Sequence, residues 1–361
     1  MSSRRCLRCQ SVYEGDARFC PRDGSPLVEI ANTTKPPATK GGEESATQIR
    51  RAVKRQPGPS LSSAATLTDL VLDSRYQVIR RLGEGGMSFV YEAKDITTQD
   101  VVAVKVLSPK LAKDRNAVER LRREAGLAMR LNHLNACPIL RFGETEDGLI
   151  YLVMPYLRGE LLSDLEARVG PMDARMGIDI IVQICAGLNH AHGLNIIHRD
   201  LKPENIMVLP RDSGSYRAVV MDFGLAKDNT LSAGAQKLTA TGIVLGTPEF
   251  MSPEQVRGKA LDPRSDVYAV AIMAFEMFTG QLPFAGRTPQ EMMIARLRGK
   301  PVPLRRYRPD LNVRLEKVLL KSLEPDPASR YENVAILADA FIQTLEPDEG
   351  GLFAKIRETL R

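Results

Sequence analysis

The chain has 361 residues, 43% of them apolar and 26% charged, which is enough to bury two or three domain cores. Its net charge of +6 is spread along the chain with no clustered Lys/Arg module, so it gives no ground for a nucleic-acid partner. The most apolar run, Val267 to Phe278, is too short to cross a bilayer and carries Glu276; no membrane span is expected. The N-terminus is polar and basic rather than a signal peptide, so a cytoplasmic location is expected.

In chain order, residues 1–30 read as a small module. They hold three of the five cysteines, Cys6, Cys9 and Cys20, an odd set with CxxC spacing that points to a reducing compartment and metal rather than disulfides. Cys137 and Cys185 stand in apolar surroundings as small core residues. Residues 31–73 are rich in Thr, Ser, Pro, Lys, Arg and Gly, with few large apolar side chains before Leu67; this composition predicts a flexible linker. From Tyr76 the pattern changes. Strands are expected over Gln77–Leu82 and Phe89–Ala93 across a glycine-rich turn, and again over 101–107 and 150–154. Helical periodicity predicts helices over 117–131, 176–192, 266–279, 289–298, 311–322 and 334–345. A strand-rich part followed by a helix-rich part implies two lobes.

Certain polar groups sit where apolar ones would be expected. In Leu82 to Tyr91, LGEGGMSFVY, the glycines let backbone amides approach a phosphate. A strand follows instead of a helix, which argues against a dinucleotide fingerprint, and no Gly-Lys-Ser/Thr closes a P-loop. Lys105 lies inside the strand VVAVKVL, where a charge is costly unless paired. On the following helix Glu124 shares the inward stripe of Val118, Leu121, Ala125 and Ala128, so a Lys105–Glu124 ion pair is expected; an edge strand with a snorkelling lysine is the alternative. Further on, IHRDLKPENI (Ile197 to Ile206) sets six polar or charged residues between apolar flanks, as a functional loop held on a rigid scaffold does. Ala218 to Met221 is apolar and ends in Asp222-Phe223-Gly224, a carboxylate that could end a simple turn. Together with Asn205 and Asp200 it suggests oxygen ligands for a hard cation.

The ordered set GEGGMSFV, AVKVL, a helical Glu, HRDLKPEN, DFG and GTPEFMSPE resembles the eukaryotic-type Ser/Thr protein kinases, a family that bacteria also carry. The likeness runs from about Tyr76 to about Leu345. It implies an α+β, bilobal kinase fold: a kinase domain over 74–346, with a small β-rich lobe at 74–156 and a larger helical lobe at 157–346, followed by a tail at 347–361. Position by position, Gly83 and Gly85 would bring amides over the ATP phosphates. Leu82, Val90, Ala103, Met154 as gatekeeper, Pro155 and Leu157 would line the nucleotide. Lys105 would bind the α- and β-phosphates, held by Glu124. Asp200 would accept or orient the substrate hydroxyl, Lys202 would neutralise the γ-phosphoryl charge, and Asn205 and Asp222 would hold Mg²⁺ or Mn²⁺. His198 reads as a packed structural histidine. Two positions depart from the usual pattern: the third glycine of the loop is Ser88, and the segment between the lobes carries Pro155, which has no N–H to offer.

The same resemblance implies Ser/Thr specificity through Lys202 and a catalytic-loop contact from Thr247. It implies Asp266 as the brace of that loop and Glu254 as partner of Arg330. Arg199 would take a phosphate carried by Thr239 or Thr241 of the activation segment, with two copies meeting during autophosphorylation. CLRCQSVYEGDARFCPRDG resembles a zinc ribbon in which Asp23 stands at the fourth cysteine position, so Cys6, Cys9, Cys20 and Asp23 are candidate Zn²⁺ ligands. A protein partner is the expected role of that module. The function that follows is an ATP-dependent protein Ser/Thr kinase acting on protein substrates. A pseudokinase scaffold is the alternative, and the intact Lys105, Glu124, Asp200, Asn205 and Asp222 argue against it. A small-molecule kinase of related fold is disfavoured by GTPEFMSPE, and a zinc-based nucleic-acid adaptor by the missing fourth cysteine.

Overall fold

The computed structural model describes residues 67–85, 88–108, 114–223, 248–284, 286 and 288–345, together with three short strands nearer the N-terminus. The chain divides into two units, Met1–Gln56 and Pro57–Arg361. In the first, β1 (Ser3–Cys6), β2 (Val12–Glu14) and β3 (Leu27–Glu29) form an antiparallel sheet in the order β2-β1-β3. Of the candidate zinc ligands, Cys9, Cys20 and Asp23 lie outside the described residues, and Cys6 is described only by its backbone place at the end of β1.

The second unit begins earlier than the composition suggests. Leu67 and Leu72 are fully buried in the core of the small lobe, so the last residues of the expected 31–73 linker belong to the folded unit. The apolar side chains that reappear at 67, 70 and 72 supply the area that the preceding stretch lacks. The small lobe is an antiparallel sheet of β4 (Val71–Leu72), β5 (Tyr76–Gly85), β6 (Ser88–Asp95), β7 (Val101–Leu107), β8 (Arg141–Glu144) and β9 (Ile150–Pro155), in the order β4-β5-β6-β7-β9-β8. Side chains alternate across a strand. Val102, Val104 and Val106 point into a core with Tyr76, Val78, Tyr91 and Tyr151, which sends Ala103, Lys105 and Leu107 to the other face. Helix α1 (Arg115–Ala128) packs on that face: Val118 and Leu121 meet Leu107 and Ile150. The helix starts two residues before its periodicity suggests, because the Asp114 carboxylate accepts the amides of Asn116 and Ala117 as an N-cap.

The large lobe contains β10 (Glu160–Leu161), α2 (Leu162–Val169), α3 (Ala174–Gly193), β11 (Ile206–Pro210), β12 (Tyr216–Val220), α4 (Pro253–Val256), α5 (Pro263–Thr279), α6 (Pro289–Arg298), α7 (Val313–Ser322) and α8 (Val334–Ile342). The run from Val267 to Phe278 that was too short for a membrane is the buried centre of this lobe, packed with α3 and α8. Its β-branched residues give up a few tenths of a kcal/mol each in helix propensity. Burial of each Val, Ile or Phe returns roughly 1.5–3 kcal/mol, so packing decides the conformation. β11 and β12 form a hairpin registered from Ile206 opposite Val220 to Pro210 opposite Tyr216, and its open end carries the site.

Candidate active site

The hairpin register places Asn205, just before β11, beside Asp222, two residues past β12; Met221 N–H donates to the Asn205 carbonyl at 2.9 Å. A short 3-10 turn, Pro203–Asn205, folds the preceding loop back. There the Asn205 Nδ2 donates to the Asp200 carbonyl at 2.6 Å and lies 3.4 Å from Asp200 Oδ2. Lys202 Nζ is 3.7 Å from the same carboxylate oxygen. From the small lobe, Lys105 Nζ reaches Asp222 Oδ2 at 2.7 Å. Groups from β7, the 200–205 loop and the end of β12 therefore converge, although up to 117 positions separate Lys105 and Asp222 in the chain.

Asp222 and Arg199, the neighbour of Asp200, hold an unusual backbone. Arg199 (φ 68°) and Asp222 (φ 58°) are both left-handed, a conformation that costs a non-glycine residue roughly 1–2 kcal/mol and persists only where the surroundings enforce it. For Arg199 the enforcement is visible. The buried Asp266 carboxylate, at the start of α5, accepts from His198 N–H at 2.9 Å and from Arg199 N–H at 3.2 Å, and meets His192 Nε2 at 2.8 Å. Burial alone would push the Asp266 carboxyl up; the His192 hydrogen bond, then the positive ends of His192 and His198, outweigh it and hold the group below its usual range. Gln255 closes the other side by donating to the Arg199 carbonyl at 2.6 Å. Gln255 is itself fixed by a capping box with Ser252 at the start of α4. The next residue in the loop is held as well. His198 Nε2 lies 2.8 Å from the Met221 carbonyl; a carbonyl only accepts, so Nε2 carries the proton and Nδ1 takes the Asp200 N–H at 3.3 Å. The ring stands edge-on to buried Phe223 at 5.2 Å. His198 is thus a packed structural histidine that orients Asp200.

The ion pair expected between Lys105 and Glu124 is not formed. Lys105 takes Asp222, and Glu124 Oε1 instead lies 3.8 Å from a guanidinium nitrogen of Arg199. Both carboxylates satisfy the need of an inward lysine for an opposite charge, and the structure seats Lys105 on Asp222. Arg199, assigned to a phosphate by the resemblance, bridges the lobes through Glu124. Thr239, Thr241, Thr247 and Gly224 lie outside the described residues. The Glu254–Arg330 pair is present as two 2.8 Å hydrogen bonds, buried on both sides.

On the nucleotide side, Gly83 and Gly85 sit at the end of β5 opposite Val90 and Ser88. A Cβ at Gly83 would meet no atom within 4 Å, so the backbone there is open to an approaching group. Val90 faces Lys105, Ala103 faces Met154 and Val102 faces Pro155 across the β6–β7–β9 ladder; Leu82 is exposed and Leu157 half-buried at the two ends of this wall. For the cation, Asn205 has committed its Nδ2 to Asp200, which leaves Oδ1 as its acceptor, and Asp222 follows the Met221 that bonds the Asn205 backbone. One amide oxygen and one carboxylate, with phosphate oxygens completing the shell, suit Mg²⁺; no cluster of three or more His, Cys, Asp or Glu suited to a metal occurs among the described residues.

Part of the support went unforeseen. Asn135 donates to Gln183 Oε1 at 3.2 Å and to the Ala218 carbonyl at 2.7 Å, while Val220 N–H donates to the Asn135 carbonyl and Cys137 N–H to that of Val220. This network ties the turn after α1 to the strand that presents Asp222. Gln183, a polar residue inside an apolar helix, is the sequence signal that could have found it.

A protein kinase domain model matches residues 76–342. Among curated proteins, the chain is 41% identical to the serine/threonine-protein kinase pkn3 of Myxococcus xanthus over 258 residues, 71% of this chain and 47% of that protein. It is 40% identical to PknB of Mycobacterium leprae (73% and 42%) and 36% identical to PrkC of Bacillus subtilis (72% and 39%). The matched part of this chain thus spans less than half the length of these relatives. Among solved structures, the Mycobacterium tuberculosis PknI kinase domain aligns with a TM-score of 0.62 at 28% identity, covering 77% of this chain and 99% of that one. Family model, relatives and fold agree with the convergence of Lys105, Asp200, Asn205 and Asp222, and the chain belongs to the protein kinase domain family.

Proposed function

We propose that the chain transfers the γ-phosphoryl group of ATP to serine and threonine hydroxyls of protein substrates. The observation that carries this reading is the 2.7 Å contact of Lys105 with Asp222 next to the Asp200–Lys202–Asn205 cluster: a cation and a carboxylate from two lobes meet beside a second carboxylate. In this arrangement Lys105 binds the inner phosphates, and Asp200, oriented by His198 and Asn205, takes the hydroxyl proton or aims the hydroxyl. Lys202 offsets the charge on the transferring group. Mg²⁺ held by Asn205 and Asp222 would supply charge neutralisation across the phosphates. The chemistry is positioning plus electrostatics, with no covalent intermediate on the protein.

Regulation follows from the same residues. Autophosphorylation at Thr239 or Thr241 would offer Arg199 an anion stronger than Glu124, and two copies would meet to perform it. The site works in the cytoplasm, where ATP is supplied. Residues 1–30 bind Zn²⁺ through Cys6, Cys9, Cys20 and Asp23 and contact a protein partner; full-length protein carrying no zinc by elemental analysis would remove that assignment. The test of the main reading is incubation of the wild type and of Asp200→Asn with labelled ATP·Mg and a Ser/Thr-containing protein. Loss of a positioned general base costs about 10²–10⁴-fold; equal incorporation by both proteins would overturn the assignment.

A further inference from the structure

The turn at 132–137 joins α1 and β8 but is built against the large lobe. Ala136 pairs in parallel with Val220, and the Asn135 network holds β12. The approach to α3 is close: a Cβ on Gly187 would come within 2.2 Å of the Asn135 carbonyl oxygen. The turn also lies near the catalytic carboxylate. Burial first, and the Asp222 charge second, push the Cys137 thiol up to about 12. Whatever fixes this turn therefore fixes the strand two residues before Asp222.

One of its fixings is titratable. His133, on the turn, and His190, on α3, stack with centroids 5.5 Å apart and planes 24° from parallel. Each ring accepts a backbone N–H of the turn. Asn132 N–H donates to His190 Nε2 at 3.1 Å, and Asn135 N–H donates to His133 Nδ1 at 3.1 Å. A neutral imidazole has one acceptor nitrogen, and both rings spend it on these amides. A protonated imidazole has none, so protonation turns each contact into two donors facing one another and sets two cations face to face.

We propose that the His133–His190 stack is an acid-released latch: it holds the 132–137 turn on α3 while both rings are neutral and lets go when they are protonated. Burial, and then the neighbouring His190, lower the His133 titration below its ordinary range. Other charges on the packed elements are placed differently. Arg130, at the end of α1, is exposed; His192 on α3 is turned to Asp266; Asp222 beyond β12 is engaged by Lys105; Arg217 on β12 is half-buried, and none of the four is among the causes acting on His133. Because His133 titrates lower in the folded state than unfolded, its contribution to stability is complete above the unfolded histidine value of about 6.5 and is lost as pH falls from there through the lower folded value. The latch stands on geometry alone; its effect on phosphoryl transfer rests on the kinase reading.

The test uses the full chain and the double variant His133→Asn/His190→Gln, in which the amide oxygens replace Nδ1 and Nε2 as acceptors but do not titrate. Amide hydrogen exchange of the 131–138 segment, corrected for intrinsic rates, is followed from about pH 7.5 to about pH 4.5, past the ordinary histidine range because His133 titrates below it. The expected result is a fall in wild-type protection of about tenfold, the size of one lost hydrogen bond, with none in the variant. Constant wild-type protection, or the same fall in both proteins, would overturn the latch. Should the variant not fold, the wild-type histidine NMR resonances decide: His133 and His190 titrating without movement of the Asn132 and Asn135 amides would equally overturn it. A variant with pH-independent protection but no phosphate transfer at any pH would leave the latch standing and count against the kinase reading.

Discussion

Replacing Arg330 by Met removes one cation from the large lobe, and the structure sets the size of the effect. The Arg330 side chain is 0% exposed and that of Glu254 6%. Two 2.8 Å hydrogen bonds join them, and the guanidinium also donates to the carbonyls of Arg264 and Glu324 at 2.9 and 2.8 Å while lying 4.7 Å over the Tyr268 ring. Met fills much of the volume but leaves the Glu254 carboxylate buried with only the Ser265 hydroxyl, at 2.7 Å, as side-chain partner. An uncompensated buried charge of this kind costs about 3–5 kcal/mol, or about 6–20 °C in Tm for a domain of this size. Burial would push the Glu254 carboxyl up; the hydrogen bonds from Arg330, then that from Ser265, bring it below its usual range instead. A lowered folded value stabilises above the unfolded carboxylate value near 4.5 and loses that contribution as pH falls through the folded one. In the variant, burial dominates, Glu254 prefers the protonated form, and the deficit shrinks toward acid. Urea unfolding followed by circular dichroism at about pH 7 and about pH 5, spanning the carboxylate-sensitive range, reads both signs. A deficit below about 1 kcal/mol, typical of an exposed pair, or a deficit that grows in acid, would refute the reasoning.

Glu166 and Glu276 line a cavity of about 500 Å³ together with Glu204 and Glu249. Burial first, and then the charge of neighbouring carboxylates (Glu276 and Glu204 on Glu166, Glu204 and Glu249 on Glu276), push the two carboxyls up to about 8 and about 7. Raised folded values stabilise below the unfolded value and lose that contribution as pH rises, so Glu276→Gln is expected to be more stable than wild type at pH 8 and equal to it near pH 4.5; chemical denaturation at the two pH values checks this. Asp266→Asn keeps one acceptor oxygen for three donors, so about 1–3 kcal/mol of stability is expected to be lost. Phosphate transfer should fall while nucleotide affinity, for which Gly83, Gly85 and Lys105 lie outside the contacts of Asp266, holds, as equilibrium binding beside a rate assay will report. A double-mutant cycle of Glu124→Gln with Arg199→Met isolates their 3.8 Å contact; both side chains are partly exposed, so a coupling below about 1 kcal/mol is expected, and a larger coupling in urea unfolding would refute that reading of the pair.

What the sequence discloses here depends on how local the cause is. Val101–Leu107 and Pro289–Arg298 are found where their patterns place them, because a period of two or of 3.6 is decided by neighbours in the chain. Leu162–Val169 and Arg141–Glu144 were not expected: the first is a short amphipathic helix, and RFGE has no apolar alternation and becomes a strand because β9 offers it a ladder. The site residues are legible for a different reason. Charge and amide groups set between apolar flanks have few structural uses, so Asp200, Lys202, Asn205 and Asp222 announce chemistry before any contact is known. Which of them pair is another matter. Lys105 could have met Glu124 or Asp222, and both choices satisfy the rule that an inward lysine needs a carboxylate; the decision rests on where the two lobes place the two groups, which no spacing encodes. Asp266 is legible as the brace of the loop through the family resemblance alone, since its sequence neighbours show only a helix start. Its work is to hold Arg199 left-handed 67 residues upstream, and that strain gains a cause only when α5 passes beneath the loop. A motif thus names the groups a reaction needs, while the buried helices set their angles. The variants that separate the two, Asp200→Asn for the chemistry and Asp266→Asn for the support, should therefore both lose transfer, but only the second should lose stability as well.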